Sequence, residues 1–433
     1  MKRILLLIVI AGSTHTLRAQ SVDIFGYVEP QLMVARVNGT TYQLNSNKLR
    51  LDLEAKPSDR VTIGANINFL TYHGKTQWSI PDFLPRQIQA EIPDFKVLGM
   101  SIDPYVLPYN DRQYLDNTYV KLNLGPADLT VGKQQLSFGT GYVWNPTDVY
   151  NQKDVLDPTY EQPGHNALRL DIPLSNRTTF TTVYSPNQWD ESGDMMMRAK
   201  TTVGHFDLSV SGAWQAWALS DARVIDMLQM NFYQVPTRRT IVGGDLVGEL
   251  LGIGVWMEAA SHQVKVNSDD WSLYQTALNQ QFSTPVWSSA FVPIPALMEI
   301  RDDYYELVAG MDYTFDSQMY IMTEFYRNTW AKSSSDNYRF NDWMQVLAGE
   351  VKTIARDQIY ALIQYPATDL VQLSCSVLAA TSDNSGVIIP MITWNIFENV
   401  DVTLIGNYYY GKDGTAYSKL LGNGGLTRVR VYF

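Results

Sequence analysis

The chain contains one cysteine, Cys375, in 433 residues, so neither a disulfide framework nor a structural zinc site can be assembled within it. Histidine is nearly as scarce, with five residues. His15, His73, His165, His205 and His262 stand apart from any spacing that marks a catalytic set, and read as isolated surface residues. Long apolar runs are also missing: after the first dozen residues none approaches the roughly 20 needed for a membrane helix. Charge is sparse, at 18% of the residues, and the balance is acidic, with a net charge of −11. That balance excludes a nucleic-acid-binding face. The pairs Asp269-Asp270 and Asp302-Asp303 read as solvated loop acids rather than a calcium site. No motif calls for a cofactor, a metal or a catalytic residue, so the expectation is a non-enzyme.

Residues 1–19 carry the marks of a cleaved secretory signal. Lys2 and Arg3 form a positive start, Ile4 to Gly12 an apolar stretch, and Ala19-Gln20 the cleavage point, with Leu17 an imperfect minus-three residue. Residues 20–433 are then one mature domain.

That domain keeps returning to segments of about ten residues in which apolar and polar side chains alternate. Leu49, Leu51 and Leu53 alternate with Arg50, Asp52 and Glu54, and Val61, Ile63, Ala65, Ile67 and Phe69 alternate with Thr62, Gly64, Asn66 and Asn68. Period two places each set on one face of a strand. No helical pattern is available to cover either face, whereas a closed sheet with lipid outside and water inside satisfies both and leaves no open edge.

Connection lengths alternate too. Tight turns at 57–60, 125–126, 173–176, 315–318, 366–368 and 398–399 are interleaved with long polar stretches at 74–112, 138–164, 220–237 and 263–302. The predicted fold is all-β: a transmembrane antiparallel up-and-down β-barrel of about 18 strands, 16 being possible, with short periplasmic turns and long extracellular loops. Residues 341–356 fit strand, loop or short helix equally. Trp214, Trp217, Tyr304, Tyr305, Tyr313, Phe315, Tyr326, Trp330, Trp394, Phe397 and Tyr408 to Tyr410 fall near expected strand ends, where rings with one wet edge favour the lipid interface. Cys375 shares the lipid-facing parity of Val371, Leu373 and Val377.

Residues 132–148 run Gly132-Lys133-Gln134-Gln135-Leu136-Ser137-Phe138-Gly139-Thr140-Gly141-Tyr142-Val143-Trp144-Asn145-Pro146-Thr147-Asp148. The segment resembles a signature of porin-like barrels of the alginate-export type, in which a Gly-Arg-Gln strand enters a Trp-Gly-x-Gly turn and then Asn-Pro-x-Asp. Lys133 and Phe138 stand where that family has Arg and Trp. Gly164 to Leu170 resembles the family's returning strand. The resemblance implies a barrel with an inward-folding loop built on Gly139, Gly141, Trp144, Asn145, Pro146 and Asp148. From the residues alone, Gly139 and Gly141 permit a sharp change of direction and Asn145-Pro146 starts a turn. Narrowing the lumen and capping the mouth remain equal alternatives. The end of the chain, Val429 to Phe433, resembles the closing strand of bacterial outer-membrane proteins. That likeness implies that Phe433 is an assembly signal read by the barrel-assembly machinery.

With the apolar faces turned outward, the lumen receives two sets of charges. Arg50, Lys121, Arg169, Arg198, Lys200, Arg428 and Arg430 form a basic wall, since the last strand pairs with the first. Asp207, Asp245, Glu249, Glu258, Glu306, Asp312 and Glu324 form an acidic one. A transverse field between them favours polar, charged or zwitterionic solutes. The functional expectation is a porin-like channel in the cell outer membrane for passive diffusion of small polar or charged solutes, in contact with outer-membrane lipids and with no nucleic-acid partner. The alternatives are a substrate-specific transporter or export conduit, and then an embedded hydrolase.

Overall fold

The computed structural model describes residues 22–37, 39–93, 95–97, 100–151, 153–157, 160–187, 193–226, 231–283 and 295–433. The signal-peptide expectation for residues 1–19 lies outside them.

Among the described residues, eighteen strands join in one antiparallel sheet. The first, Val22–Val37, pairs on one side with Thr40–Ser58 and on the other with the last, Asn423–Tyr432, closing the barrel through partners such as Val28↔Val431 and Gln31↔Arg428. Closure leaves no unpaired edge. The even count brings the first and last strands to the same end, which is also the end of the short turns. At Leu251-Gly252 both turn residues have positive φ (56° and 82°), as a two-residue hairpin with right-handed strand twist requires.

Alternation sorts the faces. Val210, Val242, Met257, Met311, Ile363 and Ile392 are exposed on the outer wall. Cys375 lies on the outward parity, between exposed Leu373 and half-buried Val377, while Ser376 and Leu378 turn inward and are buried. A closed sheet with an apolar outer belt is stable only with hydrocarbon around it.

The structure corrects the sequence reading at the long-loop end. Residues 220–237, expected as a loop, are mostly strand: Phe206–Asp226 and Asn231–Leu250 pair as far as Asp226↔Asn231, with a register irregularity between Asp221 and Ile225. Charge hid that extension, because buried Asp221 is neutralised by Arg223 at 2.7 Å and accepts the Tyr274 hydroxyl at 2.6 Å. The stretch 263–302 contains the helix Ser268–Ser283. Residues 341–356, left open by the sequence, begin in the helix Phe340–Leu347, whose first turn is capped by the Asp342 carboxylate accepting the Arg339 N–H at 2.9 Å.

Where the sequence offered no helix to cover the sheet, these helices pack on its inward face at the long-loop end. Tyr274 and Leu278 pack on Trp217, Leu219, Val235 and Val264. Leu84, Ile88, Phe95 and Tyr105 of the first long loop pack with Phe340, Trp343 and Met344 and with Ala222 and Ile225 of the extended hairpin. The aromatics divide accordingly. Trp214, Tyr305, Tyr313, Trp394, Phe397 and Tyr408 are exposed, whereas Trp217, Tyr304, Tyr326, Trp330 and Tyr409 are buried and belong to interior clusters, not to an interfacial belt.

Candidate functional site

The strand Asp128–Gln134 ends and the chain turns into the barrel. Gly139 sits at φ +86°, and a Cβ there would lie 2.5 Å from a Glu258 oxygen. At Gly141 a Cβ would lie 1.8 Å from the Trp144 carbonyl oxygen, so only glycine allows both approaches. This segment packs on the inward faces of the strands.

Two wall carboxylates hold it there. Glu258 accepts the N–H groups of Thr140 (2.8 Å), Gly141 (3.2 Å) and Thr147 (2.7 Å), the Thr147 hydroxyl (2.8 Å) and the Asn145 amide (3.4 Å). Glu324 accepts from Tyr142 N, Val143 N (2.8 Å), Trp144 N (3.0 Å) and the Trp256 indole (2.7 Å). Successive backbone N–H groups curved around an anion supply partial positive charge where a carboxylate would otherwise be buried unpaired. Trp144 stacks on Tyr326 at 4.8 Å, and Lys352 donates to the Asn145 carbonyl (2.7 Å) and to Glu306 (2.8 Å). Asp148 accepts Phe138 N (3.1 Å) and Tyr150 N (2.9 Å), tightening the turn around the buried Pro146.

The expected open acidic wall is therefore corrected. Glu258, Glu306 and Glu324 are on the inward face but are 1%, 2% and 0% exposed, consumed in anchoring the loop and Lys352. Asp245 pairs with Arg198 (3.0 Å), Asp207 with Lys200 (2.8 Å), and Asp312 accepts the Tyr320 hydroxyl (2.9 Å). Glu249 is exposed near the short-turn end.

The basic wall is likewise paired residue by residue. Arg50 meets Asp52 (2.9 Å) and Glu161 (2.7 Å), Lys121 meets Asp128 (3.0 Å), Arg169 meets Asp171 (2.8 Å), and Arg430 meets Glu29 (2.6 Å). Arg428 binds Asp157 and the Gln31 amide oxygen (2.9 Å). Asp157 and Glu161 belong to the inward loop, so this wall too tethers it. Burial raises the Glu161 carboxyl, but the hydrogen bonds and charge of Lys48, the Tyr27 hydroxyl and Arg50 outweigh it and bring it down to about 2. A transverse field between bare walls is thus replaced by local pairs.

Sequence reasoning missed Asp157, Glu161, Glu29 and Lys352, since nothing in a loop sequence says which wall residue it will meet. It also misjudged His262. The ring is 1% exposed, stacked 4.3 Å from Tyr304 and 3.5 Å from Glu306, so it is an interior residue. The lumen is less polar than expected: Val308, Met322, Tyr326, Tyr360 and Leu378 face inward because Val143 and Trp144 of the loop bury against them.

Beside the loop the lumen retains three cavities. One of about 530 Å³, bounded by Trp217, Gln234, Arg239 and Glu350, lies toward the long-loop end. It shares Asp148, Asn151 and Lys352 with a cavity of about 680 Å³ bounded also by Trp144, Leu378 and Tyr417. That cavity shares Val143, Lys153, Asp154, Val155 and Tyr160 with a third of about 520 Å³, bounded by Tyr142, Trp256, Tyr320 and Tyr360 toward the short-turn end.

No family model matches the chain, and no curated protein matches it by sequence. Solved structures do. Acinetobacter baumannii OccAB4 aligns over 97% of this chain and 99% of its own with TM-score 0.51 at 9% identity. OccAB1 of the same organism aligns over 96% and 98% with TM-score 0.50 at 10% identity. Pseudomonas aeruginosa OpdL aligns over 95% and 98% with TM-score 0.50 at 9% identity. Similarity at such identity is a statement about fold, and it does not reach the alginate-export type. Eighteen closed antiparallel strands and an apolar outer belt make the chain a closed β-barrel of the bacterial outer membrane, with the fold of these neighbours.

Proposed function

We propose that the chain is a non-enzymatic outer-membrane channel through which small polar or charged solutes diffuse passively, past a constriction made by residues 139–148. The observation that carries this reading is the series of three cavities sharing lining residues beside the anchored loop. Arg50, Lys121, Arg169, Arg198, Lys200, Arg428 and Arg430, with Asp207, Asp245, Glu249 and Asp312, line the water-facing wall. Glu258, Glu306 and Glu324 act behind it by setting the loop. Residues 1–19 direct export and are removed, and Phe433 engages the assembly machinery. The resemblance of residues 132–148 to alginate-export-type barrels enters this reading only as the inward loop.

Cavities of a few hundred cubic ångströms are the size of small-ligand sites, which favours a substrate-preferring channel as the second reading over a conduit for polymers. Single-channel recording in planar bilayers, with reversal potentials in a salt gradient, tests the channel. Discrete ohmic steps are expected. A folded, inserted barrel that passes no current would reduce the protein to a plugged barrel.

A further inference from the structure

Lys153 and Asp154 stand where the two inner cavities meet, and each lines both. The Lys153 ammonium donates to two backbone carbonyls, Gly141 at 2.7 Å and Tyr142 at 2.9 Å. One Asp154 oxygen accepts the N–H groups of Leu156 (2.9 Å) and Asp157 (3.2 Å). Among the described residues neither side chain forms an ion pair; each is held by backbone groups alone. Around them the wall carries the apolar and aromatic side chains of Tyr142, Val143, Val155, Trp256 and Tyr360, together with Thr140 and with Asp312, which accepts the Tyr320 hydroxyl.

We propose that this junction is a selective binding site for a zwitterionic small solute bearing an apolar or aromatic group, of which an apolar α-amino acid is the simplest. Lys153 takes the anionic end, Asp154 the cationic end, and the Tyr142, Trp256 and Tyr360 wall the side group. The assignment rests on the channel reading and narrows it.

The physical reason is compensation. A charge half-removed from water without a counter-charge is destabilised. Burial lowers the Lys153 ammonium against the pull of Glu324, Asp148 and Glu258, and raises the Asp154 carboxyl against that of Arg428, so the charges nearby do not fully offset the loss of water at either group. A simple anion would satisfy one and leave the other, and a simple cation the reverse. A zwitterion satisfies both in one binding event, and its own desolvation is offset at both ends. The adjoining aromatic faces then reward a side group that glycine lacks.

Calorimetric titration of the folded full chain in detergent tests this with four probes: L-phenylalanine, glycine, 3-phenylpropionate and phenethylamine. Phenylalanine is expected to bind at least about tenfold more tightly than each of the others. Lys153→Gln should abolish its advantage over phenethylamine, Asp154→Asn its advantage over 3-phenylpropionate, and Lys153→Arg should restore the first. Phenylpropionate binding as tightly as phenylalanine would overturn the zwitterion assignment in favour of an anion site. Glycine binding equally would overturn the role of the aromatic wall. Bilayer recording of the same preparation separates the two readings. Phenylalanine binding without ion current keeps this site and removes the channel, whereas current with no preference among the probes keeps the channel and removes this site.

Discussion

Replacing Glu324 by Gln should loosen the constriction without unfolding the barrel. The carboxylate accepts four N–H groups, from Tyr142, Val143, Trp144 and the Trp256 indole. Val143 and Trp144 share one oxygen, and Tyr142 and Trp256 the other. An amide keeps one accepting oxygen and turns an NH₂ toward two N–H donors, so at least two charge-assisted bonds are lost. At about 1.5 kcal/mol each, the low end for bonds to a charged group, that is about 3 kcal/mol. Such a loss shifts the docked-to-released equilibrium of the loop by roughly a hundredfold. The Trp144–Tyr326 stack and the Lys352 bond to the Asn145 carbonyl remain, so Glu258→Gln combined with Glu324→Gln should release the loop further than either alone. The ladder of eighteen strands does not pass through these bonds, and the heat-modifiable folded form should survive on gels. In planar bilayers the expected result is larger single-channel conductance and more current noise, in the order parent, single variant, double variant. Folded variants with parental conductance and noise would refute the claim that these carboxylates hold the constriction.

Other outcomes follow from the same geometry. Glu161 is depressed to about 2, so its contribution to loop docking is complete above the ordinary carboxylate range near 4.3 and is lost only as the pH falls through about 2. Conductance should therefore not change through this tether between pH 7 and pH 5, whereas Glu161→Gln should raise it at neutral pH; the opposite pattern would reject the tether. In a Cys375→Ala background, a cysteine at exposed Ser268 should label in intact cells with an impermeant maleimide and one at exposed Ser58 should not, the reverse fixing the barrel the other way up. Phe433 exchanges backbone hydrogen bonds with Gly26 at 3.1 Å in both directions, and its deletion should lower folded outer-membrane yield. An unchanged yield would remove its role in assembly.

The period-two alternation of Val61 to Phe69, the short turns such as 398–399 and the closing strand before Phe433 were enough to predict a barrel of about 18 strands. Each is a local property, read within ten residues, and a closed sheet is the one arrangement that satisfies all of them in lipid. The glycines at 139 and 141 announced a change of direction for the same reason, since backbone freedom is local. What became of the lumen was not local. Residues 220–237 concealed strands because Asp221 is buried with Arg223 as its counter-charge and with a hydroxyl donor, Tyr274, that lies 53 positions away on helix Ser268–Ser283. Glu258 and Glu324 read as free pore acids because their nine donors lie more than a hundred positions away along the chain or, for the Trp256 indole, 68 away. Only the tertiary structure could bring Asp157 and Glu161 to the arginines, and so turn two charged walls into anchors for one loop. Sequence alone determined the barrel, because strand polarity is written residue by residue. The tertiary structure decided what the barrel encloses, because a buried charge must find its partner in space, and that partner has no fixed distance in sequence.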